Sequence, residues 1–183
     1  MCVASAFLAS ASAAHAADCK PLQILNTMKM EPVQDGNRFL VPITVNDKPL
    51  KFMLDTGGSL TQITRDAVRT LGAKEETSHI QMFDLYGNES KTKITAKTFD
   101  MNILHGKDVF LQILPMPRLG EGVDGILSTD LFVQYDVDMD FGAQRLNYFS
   151  QDHCEGSGLL AREAHRNRAL YAKRRPDYFL GQS

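Results

Sequence analysis

A carboxylate, a hydroxyl and two glycines follow one another at Asp55-Thr56-Gly57-Gly58-Ser59, directly after the apolar run Leu50-Lys51-Phe52-Met53-Leu54. Chemistry that moves a proton on or off a water molecule needs such a set. A carboxylate at the end of a buried strand sits where solvent is scarce, so its protonation state responds to its neighbours. The Thr56 hydroxyl can tie the loop to an adjacent backbone. The bare glycines let the chain turn tightly and bring N–H groups up to the carboxylate. The same triplet also occurs as an ordinary strand-ending turn, since Asp and Gly are common turn residues. Its setting on both sides separates the two readings.

Other chemistries find no footing. His15, His79, His105, His153 and His165 are scattered without ligand spacing, and the cysteines have none of metal type, so neither metal nor cofactor is expected. No G-x-S-x-G surrounds Ser59, and no glycine loop of phosphate-binding form occurs.

The elements that must position Asp55 read as short strands between turns. Strands are expected at Leu22 to Met30 and Arg38 to Val45, joined by the Asp-Gly hairpin Gln34-Asp35-Gly36-Asn37. Asn46-Asp47-Lys48 turns the chain into Leu50 to Leu54. A helix follows: Thr64 caps it, Asp66 suits its first turn, Ala67, Val68 and Leu71 form its apolar stripe, and Gly72 ends it. Further strands are expected at His79 to Leu85, Lys91 to Leu104 and Lys107 to Leu114. A loop at Gly120 to Gly125 and a helical turn at Thr129 to Val133 come next. Tyr135 to Met139 and Arg145 to Phe149 close the pattern as a hairpin around Gly142. Many short strands at regular spacing, with one or two short helices, predict an all-β barrel or sandwich.

The 183 residues, net charge of -2 and 43% hydrophobic content suit one globular domain. Residues 1–17 are small and apolar apart from His15, and Ala14-His15-Ala16 is an A-x-A cleavage signal. They read as a signal peptide cut near Ala16, with export to the periplasm or outside the cell. The positively charged leader of such segments is missing. Cys2 would leave with it. Cys19 and Cys154 would remain, an even pair that an oxidising compartment allows to bridge around the folded region 18–154. Asp18 before Cys19 argues against a lipid anchor, and no apolar run reaches the ~20 residues of a membrane span. Residues 155–183 hold six basic residues against three acidic ones and read as a poorly ordered, solvated tail rather than a nucleic-acid or membrane site.

A second stretch, Val123-Asp124-Gly125-Ile126-Leu127-Ser128-Thr129-Asp130-Leu131-Phe132, places an apolar pair after a glycine and then a polar step into a helical turn. Together with Phe52 to Ser59 it resembles the retropepsin-like aspartic proteases, in particular the bacterial exported, single-lobe group. In that family a strand delivers a D-T-G loop. About seventy residues later an apolar-apolar-Gly strand crosses behind it and leads into a short helix. Asp136 to Asp140 and Arg145 to Phe149 resemble the closing hairpin, so the likeness spans about residues 22–150. It implies a single-lobe acid-protease barrel with Asp55 as the catalytic carboxylate. Thr56 would tie two active-site loops together, and Gly57 would donate its N–H to the carboxylates. It also implies a flap over a bound peptide or protein substrate, formed by Phe83 to Ser90 with Tyr86-Gly87-Asn88 at its tip and facing Gly58. One departure stands out: Ser128 occupies the position where the family has glycine.

Two carboxylates a few ångström apart cannot both ionise cheaply, so such a pair shares one proton and titrates as a unit. One member then acts as general base on a water and the other polarises the scissile carbonyl. This chain has one D-T-G, no D-S-G and no internal repeat. Asp124 precedes the crossing strand, Asp130 opens a helical turn where capping explains it, and Asp136, Asp138 and Asp140 alternate as a polar outer face. A complete dyad therefore requires a homodimer with Asp55 from each copy on the two-fold axis. A truncated second lobe is the other way to account for the half-site. The competing function is a non-catalytic peptide-binding or interaction module on the same barrel, monomeric and unable to assemble a dyad.

Overall fold

The computed structural model describes residues 20–33, 37–84, 86–102, 104–116 and 119–154. The stretch read as a signal peptide, Cys19, the turn at 34–36 and the basic segment 155–183 lie outside the described residues. The described residues form eleven strands: β1 (Ile24–Lys29), β2 (Glu31–Pro32), β3 (Phe39–Val45), β4 (Lys48–Leu54), β5 (Gln62–Ile63), β6 (Glu76–Phe83), β7 (Glu89–Met101), β8 (Leu104–Ile113), β9 (Gly125–Leu127), β10 (Asp136–Asp140) and β11 (Arg145–Phe149). One α-helix, α1 (Arg65–Leu71), and a 3-10 turn, Thr129–Leu131, complete the elements.

Alternating side chains close the sheet around one core. Val41, Ile43 and Val45 of β3 and Leu50 and Phe52 of β4 point inward, with polar or exposed residues between them. Hydrogen bonding runs β3–β4–β9–β5–β8–β7, and β7 returns to β3 through Thr44↔Asp100 and Val45↔Phe99, which closes a six-stranded barrel. Phe52 and Phe99 meet edge-to-face inside it, centroids 6.2 Å apart, and burying such a ring contributes roughly 1.5–3 kcal/mol. The all-β, single-lobe expectation is met.

Turn chemistry sets the register. Asn46 and Asp47 both have positive φ (48° and 62°), the two-residue hairpin form that Val45↔Lys48 pairing requires. Helix α1 forms as its sequence indicates: Thr64 Oγ1 accepts the Ala67 N–H at 3.1 Å, and Gly72 ends it with φ 65°. The β10–β11 hairpin turns around Gly142 as expected: Asp140 Oδ1 accepts the Ala143 N–H at 2.8 Å, and Gln144 takes the positive φ of 56°.

β1, β11 and β10 form a separate three-stranded sheet. Its Tyr148 packs between Phe132 and Tyr135, and burial pushes the phenol's pKa up. Asn26 ties this sheet to the barrel by donating to the Met101 carbonyl at 2.9 Å. Lys20 bonds through its backbone to Asp152 and Cys154, so the two ends of the described chain lie side by side.

Candidate active site

β4 and β9 run parallel at the heart of the barrel, with Phe52↔Gly125, Met53↔Ile126 and Leu54↔Leu127 in register. The chain leaves β4 at Asp55, loops over the end of β9, and returns as β5, which pairs antiparallel on the other side of β9. The apolar pair Ile126-Leu127 is thus enclosed by the loop that carries Asp55. Such close passage requires Gly125. A Cβ there would stand 2.4 Å from the Gln62 carbonyl and 2.5 Å from the Phe52 ring.

The parallel ladder extends one step beyond β4, where the Asp55 N–H donates to the Leu127 carbonyl at 2.9 Å. Asp55 is half-buried. Its Oδ1 accepts the Gly57 N–H at 2.8 Å, whereas Oδ2 accepts no hydrogen bond from the described residues. A carboxylate oriented by one backbone donor, with its second oxygen open, can take a proton or hold a water.

Four hydrogen bonds clamp the loop to the segment after β9. Thr129 Oγ1 donates to the Gly58 carbonyl at 3.0 Å. The Ser128 N–H donates to Thr61 Oγ1 at 3.1 Å. Thr61 in turn donates through its hydroxyl to Asp130 Oδ1 at 2.7 Å, and its N–H donates to Oδ2 at 2.9 Å. Asp130 is therefore a brace for the loop, which corrects its reading as a helix cap; Ser128 precedes the 3-10 turn and makes no side-chain cap. Thr61 and Thr129 went unremarked in the sequence, because two threonines near glycines give no sign of what they face. Thr56 is exposed and takes no part in these ties.

The other carboxylates are occupied elsewhere. Asp124 Oδ2 accepts the Lys51 N–H at the far end of the β4–β9 pair. Asp136 contacts His153, Asp138 accepts from Asn147, and Asp140 binds its own turn. Among the described residues, no group of three or more His, Cys, Asp or Glu is gathered to hold a metal.

The segment Phe83 to Ser90 runs from the last residue of β6 into the start of β7. Asp84 organises it: its carboxylate accepts the Asn88 side-chain amide and the N–H groups of Tyr86 and Asn88. Bonding to Asn88 holds the Asp84 carboxyl below its ordinary pKa. Gly87 takes φ 81°, and Tyr86 is 86% exposed. Tyr86, Gly87 and Asn88 thus share one tight tip, and Phe83 at its base is also exposed.

The described residues thus form one closed barrel with an Asp-Thr-Gly loop at the end of a parallel strand pair. Residues 41–131 match the family model described as Aspartyl protease, which supports an aspartic-type peptidase. Among solved structures the chain is similar to the crystal structure of a retropepsin-like aspartic protease from Rickettsia conorii, at 19% identity and a TM-score of 0.48. That match covers 70% of this chain and 93% of the other. No curated protein matches the sequence.

Proposed function

We propose that the chain is an exported aspartic endopeptidase whose catalytic dyad forms between two copies, each contributing Asp55. The observation that carries this reading is the Asp55 carboxylate itself, oriented by Gly57 and open at Oδ2, with every other candidate carboxylate engaged in a bond of its own. A dyad then needs a second Asp55. One carboxylate, ionised, takes a proton from the water between them, and its protonated partner polarises the scissile carbonyl. Gly57 donates to the carboxylate, and Thr56, exposed in the single chain, is available to tie to the second loop. The substrate is an extended peptide, held as an added strand beneath the tip Tyr86-Gly87-Asn88 and against Gly58. Residues 1–17 direct export to the periplasm or beyond and are removed near Ala16.

Mixing settles the matter. Asp55→Asn lowers cleavage of unfolded peptide substrates by at least about a hundredfold. Added in excess to the unaltered protein, it also suppresses activity by drawing subunits into one-Asp pairs, and sedimentation reports a dimer. Activity that survives Asp55→Asn, or a strict monomer that cleaves, sinks the proposal. A folded dimer that binds peptides without cleaving them would instead favour the interaction module.

A further inference from the structure

Ser128 is fully buried, and its hydroxyl has no hydrogen-bond partner among the described residues. Its backbone is committed, since the N–H is held by Thr61. The hydroxyl fills the space that a side chain on Gly58 would need: a Cβ on Gly58 would lie 2.4 Å from Ser128 Oγ. The same point lies 3.6 Å from Asp55 Oδ2. A buried hydroxyl and a carboxylate oxygen, neither with a hydrogen-bond partner among the described residues, therefore both lie beside the point that a side chain on Gly58 would occupy. Buried hydroxyls without partners are rare and call for a physical reason.

We propose that the Ser128 hydroxyl is a positioning group for the Asp55 carboxylate, donating its proton towards Oδ2 while the Gly57 N–H holds Oδ1. A hydroxyl rotates freely about its Cβ–Oγ bond, so its hydrogen follows the charge on the carboxylate. Donation to the ionised form favours that form. Ser128 thereby stabilises the charged form of the Asp55 carboxylate beside it, alike in each copy of the pair. The proposal rests on the reading of Asp55 as the catalytic carboxylate, yet it can be tested without activity.

The experiment compares the full chain with Ser128→Ala and Ser128→Gly by carboxyl carbon-13 NMR titration. The Asp55 signal is identified by its loss in Asp55→Asn. Removing the hydroxyl moves the Asp55 titration midpoint up by about one pH unit, and the acid limb of the kcat/KM profile moves with it. Gly58→Ser alone collides with Ser128 and lowers the melting temperature. Gly58→Ser combined with Ser128→Gly returns a hydroxyl from the opposite side and restores the midpoint. A midpoint that stays in place in either folded Ser128 variant overturns the proposal. Absence of peptidase activity in every variant would count against the catalytic reading of Asp55, while the NMR midpoint would still decide the role of Ser128.

Discussion

Thr61 and Asp130 are joined twice, hydroxyl to Oδ1 and N–H to Oδ2, although 69 residues separate them in the chain. The same Thr61 hydroxyl accepts the Ser128 N–H. One side chain thus links the return of the Asp55 loop to the segment that follows β9.

Thr61→Val keeps the shape and removes the hydroxyl, leaving the Ser128 N–H and one Asp130 oxygen unpaired in a buried setting. The expected loss is about 1–3 kcal/mol, read as a lower urea midpoint. Thr61→Ser, which keeps the oxygen, recovers most of it. Equal stability of the Val and Ser variants would show that the brace contributes nothing.

Gly125→Ala tests the crossing. The new methyl meets a backbone carbonyl and a fully buried ring, neither of which is free to swing aside. Overpacking of this kind costs about 1–3 kcal/mol. Gly72, by contrast, has open space around it but φ 65°, so Gly72→Ala is strained by its backbone alone. Thermal melts of the two variants, with the larger drop for Gly125→Ala, check the ranking.

His153 and Asp136 give the small sheet a pH dependence. His153 Nε2 lies 2.6 Å from Asp136 Oδ2, and this bond, followed by that to the Cys154 carbonyl, raises the imidazole above its ordinary value of 6.5. Its stabilisation is therefore fully present below about pH 6.5 and is lost as pH rises through the higher folded value. The difference in melting temperature between the unaltered protein and His153→Gln should be larger at pH 5.5 than at pH 8.5. A difference that grows with pH would reverse the sign and refute the assignment.

Cys154 is disulfide-bonded, and the Lys20 backbone is hydrogen-bonded to Asp152 and Cys154. We expect Cys19 as the partner. Closing so long a loop restricts the unfolded chain, with a contribution of up to about 4–5 kcal/mol. Peptide mapping under non-reducing conditions identifies the pair, and reduction should lower the melting temperature. A free thiol at Cys19 in the mature protein would disprove the pairing.

Much of this arrangement was legible in the residues. The alternation in β3 and β4, the Thr64 cap with Gly72, and the Asp-Thr-Gly loop after an apolar strand all act within a few positions of one another. Local steric and hydrogen-bonding rules therefore expose them. Asp130 was misread because an acidic residue opening a helical turn looks like a cap, and its true partner lies 69 residues upstream.

Residue order alone established the all-β class, the Asp55 loop and the presence of a single D-T-G in the chain, because strand period and turn chemistry are short-range. Folding decided which groups meet: β9 threaded between β4 and β5, Thr61 on Asp130, and the Ser128 hydroxyl in the space left by Gly58. Those contacts depend on long-range strand order and on gaps of a few ångström. A spacing rule carries neither, because each arises only once the barrel has closed.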